Sequence, residues 1–272
     1  MSTKSCRDCR VTGINPVGRT HPVSAQKEYV PVSQQPKVKG IADIAFLLDA
    51  TGSMGPCINA VKQNIKTFVT TMTTPNPNGG AVVKEWRAKI VGYRDLDYTD
   101  FPAYIDNNFV SSVSELEAQL NALHADGGGD EPETLLESLY RLANMPATKT
   151  DEPLRPDAWR SVGSARRFVV VFTDAPFKEP LRDPRGASID DVILNLMTAK
   201  IVLHIFAPKK FEKFNTLAEV DKAQWYAIPV QDGKTPQDAL AEYTSDPHKF
   251  GKILEQLAKT ITVQSEVPLV LE

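Results

Sequence analysis

Two short apolar runs, each closed by an aspartate, constrain this chain more than any other feature. Ile41-Ala-Asp-Ile-Ala-Phe-Leu-Leu48 runs into Asp49, and Arg167-Phe-Val-Val-Val-Phe-Thr173 runs into Asp174. Near-continuous short apolar runs are the pattern of parallel strands covered on both faces. Between and after them, strand-like and helix-like stretches alternate. Ile58, Val61, Ile65, Phe68 and Met72 recur at helical spacing, and a strand is expected over Trp86–Tyr93. A short edge strand is expected within Ala103–Phe109, and helices at Leu116–Leu123 and Leu135–Leu142. After Asp174 the pattern predicts a helix over Ile189–Met197, a strand over Ile201–Phe206 and a helix near Phe211–Lys222. A short strand at Trp225–Pro229 and a last helix over Phe250–Ile261 complete it. This alternation predicts an α/β fold: a doubly wound, mostly parallel six-stranded sheet flanked by helices.

One core accounts for residues 39–263, read as a single domain. Residues 1–38 are polar, rich in Pro and Val and without period, and read as an extended or disordered arm. Residues 264–272 read as a tail. The Pro-rich stretch 146–165 reads as a long surface connection.

Composition removes several function classes. With 31 Lys+Arg against 34 Asp+Glu the net charge is −3, which gives no general attraction to nucleic acid. No stretch of about 18 apolar residues occurs, so no membrane span is expected. Three cysteines make no disulfide framework. Cys6-x-x-Cys9 with His21 lacks a fourth ligand for a structural zinc site. The opening MSTKSCRDCR has no apolar leader, so a cytoplasmic location is the expectation. From Asp95 to Glu133 the chain has ten acids and no Lys or Arg. A solvated acidic face accounts for most of them, and those in the loops are candidates for holding a cation.

In an open parallel sheet, ligands bind beyond the carboxyl ends of the strands, where the winding reverses. If the strands ending in Asp49 and Asp174 are neighbours, both carboxylates enter one crevice. A divalent cation between them would relieve their repulsion. In Asp49-Ala-Thr-Gly-Ser53, alternate residues of an extended chain place one carboxylate and two hydroxyls on one side. These are hard oxygen donors, which suit Mg²⁺, Mn²⁺ or Ca²⁺ rather than zinc.

Asp49-Ala-Thr-Gly-Ser53 resembles the Asp-x-Ser-x-Ser signature of von Willebrand factor A (VWA) domains, the metal-ion-dependent adhesion site (MIDAS), with Thr51 at the first Ser. Thr173-Asp174 resembles the last acid of that family. Gly127-Gly-Gly-Asp-Glu-Pro-Glu133 and Tyr93-Arg-Asp95 are similar to loops of its hemicentin-like branch. The resemblance spans roughly Gly40 to Thr262 and implies a Rossmann-like fold with a metal site at Asp49, Thr51, Ser53, Asp130 and Asp174. It implies direct ligation by Thr51 and Ser53 and action through water for Asp49 and Asp174. Asp130 stands where other members carry a Thr, and Asp126 and Thr134 are alternatives for that place. One coordination position is left for a carboxylate of a protein partner.

The expected function is therefore a non-enzymatic, metal-dependent interaction module without nucleic-acid or membrane partners. Two alternatives stand beside it. One is a metal-dependent hydrolase or phosphotransferase, although position 51 is Thr where a phosphoaspartyl enzyme carries an acid, and no phosphate-binding Gly-rich loop occurs. The other is an adaptor subunit of an intracellular ATPase or conflict-system complex. Asp95 is read as either support for the site or a turn acid. Arg94 is expected to pair with acids of the 95–106 loop, Glu131 and Glu133 to favour a helix N-terminus, and Cys57 to be a buried, inert thiol.

Overall fold

The computed structural model describes residues 40–75, 82–97, 100–128, 131–149 and 151–266. The arm expected over 1–38, Asp130 and residues 267–272 lie outside them.

Strand β1 (Ile41–Asp49) leads through a 3₁₀ turn (Gly52–Met54) into α1 (Gly55–Thr73). Pro56 sits in the first turn of α1, where its missing N–H leaves nothing unsatisfied. β2 (Glu85–Tyr93), β3 (Tyr104–Asp106) and α2 (Val113–Ala122) follow, with Ser112 capping α2. Then come α3 (Leu135–Ala143), the two-residue strands β4 (Ala147–Thr148) and β5 (Trp159–Arg160), and β6 (Arg166–Phe172). Ser188 and Asp191 form a capping box that starts α4 (Ile189–Thr198), which leads to β7 (Ile201–Pro208). The chain ends with α5 (Phe214–Leu217), β8 (Gln224–Ile228), α6 (Pro236–Ser245) and α7 (Pro247–Ser265).

The main sheet has six strands in the order β3-β2-β1-β6-β7-β8. Only the edge strand β3 is antiparallel. This is the doubly wound, mostly parallel sheet that the alternation predicts. Side chains alternate between two cores. Ile44, Phe46 and Leu48 join the layer containing α1 and α7, and Ala45 and Leu47 join the layer containing α3 and α4. In-register neighbours Phe172, Phe206 and Tyr226 stack across β6, β7 and β8, with ring centroids 4.6 Å and 4.3 Å apart.

Three elements differ from the sequence expectation. Residues 146–165 are not simply a surface connection, because Trp159 and Arg160 are buried. Asp43, wholly buried in β1, accepts from Arg87 Nη2 (2.6 Å), Arg160 Nη1 (2.6 Å) and the Arg160 amide (2.7 Å). A buried carboxylate needs such partners, and Arg160 comes from the segment that reads as loop. The helix expected over 211–222 contracts to Phe214–Leu217, flanked by turns, and Lys222 has a φ of 62° that no helix continues through. Conversely α6 was not expected, although Thr235-Pro236-Gln237-Asp238 carries a capping box with Pro in the first turn.

Candidate metal centre

β1 and β6 are adjacent, and the winding reverses between them. β1 connects onward to β2 on one side, and β6 to β7 on the other. Leu48 is level with Phe172, so Asp49 and Thr173 leave the sheet side by side. Thr173 donates its hydroxyl to Asp49 Oδ2 at 2.9 Å, and Asp174 follows. The two aspartates are thus brought to one crevice by register alone.

Asp49 lies at the floor, wholly buried. Its Oδ1 accepts from the Thr51 amide at 3.0 Å and the Thr51 hydroxyl at 2.7 Å. The Thr51 and Ser53 hydroxyls are 3.4 Å apart. Above them is a depression of about 320 Å³ lined by Thr51, Ser53, Glu131, Glu133, Asp174 and Gln237, with Gly127 and Gly128 at one wall. Gly128 has a φ of +83°, and a Cβ there would stand 2.8 Å from the Thr51 Cβ, so only glycine lets this loop close on Thr51. The Gly52 amide donates to the Gly127 carbonyl at 2.9 Å and ties the two loops together.

The site collects negative charge without enough donors. Burial first, then the nearby Asp49 carboxylate, pushes Asp174 up to about 7, against a hydrogen bond from Ser53 that lowers it. Glu133 rises to about 8, again from burial first and then from Asp49 and Asp95, with Lys178 opposing. Burial also raises Asp49, although the hydrogen bonds from Thr51 and Thr173 and the charge of Arg94 act against it. Asp174 Oδ2 and Glu133 Oε2 are buried without a hydrogen-bond partner. Unsatisfied buried carboxylate oxygens are costly, and a proton or a bound cation would relieve them.

Among the described residues no group of three or more His, Cys, Asp or Glu converges as a metal cluster by itself. The donor set here mixes carboxylates with hydroxyls, which suits a hard cation that keeps some of its water. Of the residues expected at the site, Thr51, Ser53 and Asp174 share the depression and Asp49 supports Thr51 from below. Asp130 falls outside the described residues. Asp126 is exposed and does not line the depression. Thr134 gives its hydroxyl to the Arg94 carbonyl at 2.5 Å.

Two residues act differently from their sequence reading. Glu133, read as a helix N-terminal acid, is 3 % exposed and lines the depression. A single acid four residues from a glycine run has no periodic signal to mark it; only its buried, unpartnered oxygen does. Arg94 does not pair with acids of its own loop. It donates to the carbonyls of Ala50 (3.0 Å), Asp126 (2.7 Å), Pro102 (2.9 Å) and His124 (2.8 Å). One guanidinium thereby holds three loops around the site. Asp95 is wholly buried and pairs with Lys178 at 2.5 Å. Cys57 is buried, and burial together with Asp174 and Asp49 raises its thiol far above the usual range.

Several known proteins are similar to this chain. An ariadne-like RING finger protein of Acanthamoeba polyphaga mimivirus is 30% identical over 95 residues, covering 35% of this chain and 9% of that protein. The von Willebrand factor A domain-containing protein 7 of Homo sapiens is 33% identical over 98 residues, covering 36% of this chain and 10% of that protein. The chain thus spans about a tenth of the length of these curated relatives. Among solved structures, proximal thread matrix protein 1 from the mussel byssus aligns at 15% identity with a TM-score of 0.46, over 80% of this chain and 46% of that one. The pilus adhesin SpaC of Lactobacillus rhamnosus GG aligns at 14% identity with a TM-score of 0.46, over 82% of this chain and 30% of that one. The family profile described as von Willebrand factor type A domain matches residues 43–249, from within β1 into α7, and this chain belongs to that family.

Proposed function

We propose that the chain is a metal-dependent protein-interaction module, in which a MIDAS of the hemicentin-like type holds one divalent cation and binds an acidic group of a protein partner. The VWA domain is in general a protein-interaction module, and the finer reading rests on one observation. Asp49, Asp174 and Glu133 are buried together at the switch point of the sheet, and two of their oxygens have no partner.

In this reading Thr51 and Ser53 ligate Mg²⁺ (or Mn²⁺ or Ca²⁺) through their hydroxyls, with Asp49 and Asp174 supporting it. Asp130 is the further ligand that the family resemblance implies. Glu133 adds a carboxylate from the other wall. Bound there, the cation would supply a positive Lewis-acid centre for an acidic group of the partner. α1 begins at Gly55, two residues after Ser53, and a helix N-terminus so close to the site favours an anion on the cation over the bare cation. In this reading the acids at the site hold the metal and the module binds its partner without catalysis. An adaptor role in a cytoplasmic assembly is consistent with this.

The test is a thermal melt of the full chain in Mg²⁺, Mn²⁺, Ca²⁺ or chelator, beside the Asp49→Ala/Ser53→Ala double variant. The wild-type melting temperature should rise with metal, because a ligand that binds only the folded state stabilises it, and the variant should not respond. An equal response in both would move the cation elsewhere and sink the assignment.

A further inference from the structure

A second, larger depression lies beside the metal site. Its volume is about 880 Å³. The two share a wall. Glu131 and Glu133 line the metal site and Pro132 lines the groove, and Glu133 is laced to the segment after β6 by its amide to Pro176 O and its carbonyl to Lys178 N, both 2.9 Å. Phe177 and Leu181 add apolar lining. Four cations stand around it, Lys178, Arg182, Arg185 and Lys213, against one lining carboxylate, Glu179.

The groove is preformed. The Leu181 amide donates to Ala187 O at 2.8 Å, the Gly186 amide to Leu181 O at 2.9 Å, and the Arg182 amide to the buried carboxylate of Glu137 at 2.8 Å. Nearby acids do not use up its positive charge. Asp95 and Asp97 take Lys178, Asp97 also meets Arg182, and Glu179 stands 3.6 Å from Lys213. Arg185 has no carboxylate at ion-pair distance among the described residues. Three carboxylates thus stand at ion-pair distance from three of the four cations, and Arg185 is the one left over. The side chains of Arg182 and Lys213 are 56 % and 70 % exposed, and pairs so exposed contribute only about 0–1 kcal/mol. They are free to re-pair with an incoming acid at little cost. The chain's own first 39 residues carry seven Lys or Arg against two Asp or Glu, the wrong sign to occupy this groove.

We propose that this groove receives an acidic peptide segment of the partner, so that recognition needs a run of acids beside the one carboxylate directed at the cation. Arg182, Arg185 and Lys213 read the additional acids, and the half-buried Pro132 lies along the backbone between them. The proposal rests on the metal-site reading for the first carboxylate, while the groove's charge is a separate observation.

The experiment is fluorescence anisotropy of the full chain in Mg²⁺ with a labelled peptide of repeated Asp-Ser-Gly, against the same peptide with Asn for Asp. The Arg185→Glu/Lys213→Glu variant changes two exposed side chains outside the metal site and should keep its fold and any metal-dependent rise in melting temperature. Affinity for the Asp peptide should fall roughly tenfold or more in the variant, with a weaker dependence on salt, because rim charges of opposite sign steer and hold an anionic partner. Equal affinity of variant and wild type, or equal binding of the Asn peptide, overturns the proposal. If metal produces no melting shift but the charge reversal still weakens Asp-peptide binding, the metal-site reading fails and the groove stands.

Discussion

A buried carboxylate is a statement about pH as well as about ligands. Asp174 and Glu133 are held above their ordinary range, to about 7 and about 8. In the folded chain they keep protons that the unfolded chain has already lost, so folding stability falls as pH rises through those values. His204 acts in the opposite sense. Burial lowers it to about 4, so its effect is confined to pH between there and the ordinary histidine value of about 6.5. Above that, His204 no longer opposes the raised acids, among which Asp49 and Glu137 act in the same sense as Asp174 and Glu133. In chelator the melting temperature should therefore fall between about pH 6.5 and 8. Glu133→Gln should flatten that slope and weaken the response to metal. A slope unchanged by the variant would remove Glu133 from the site.

At the scale of elements, the site is an agreement between loops, and Arg94 enforces it. Its carbonyl partners come from the end of β1, the loop after β2 and the loop before α3. A lysine keeps the charge but cannot fork to several carbonyls. Arg94→Lys should leave buried carbonyls unpaired, cost about 1–3 kcal/mol, and lower metal affinity more than the loss of stability alone explains. Denaturant unfolding and metal titration on the same variant separate the two effects. If both are unchanged, the guanidinium does not organise the loops.

Over the whole molecule, β1 carries two buried charge centres at opposite ends. Asp43 anchors Arg87 and Arg160 at one end, and Asp49 supports the metal centre at the other. Six residue steps along the strand separate them by roughly 20 Å. Asp43→Ala strands two buried guanidinium groups and should cost about 3–5 kcal/mol. Sites this far apart act independently, so the variant should melt lower yet show the full metal-dependent rise. Loss of that rise would mean the two ends are coupled through the strand.

Residue patterning by itself determined the sheet. Apolar runs such as Val169-Val-Val171 can be buried only on both faces, and period-2 alternation assigns Phe46 and Leu47 to opposite cores. It also placed Asp49 and Asp174 at strand ends, because an apolar run must stop where the sheet meets water. What it left open depends on contacts between distant segments. Glu133 and the helix acids look alike in sequence, and only packing beside Asp49 and Asp174 separates them. Arg94 lies among acids in the chain, yet the fold surrounds it with carbonyls from three loops. Arg160 reads as part of a loop until Asp43, 117 positions away, is found against it. Local pattern decides which faces are buried. Only the tertiary structure decides which charges share the burial, since an electrostatic partner is chosen by distance in space and has no period along the chain.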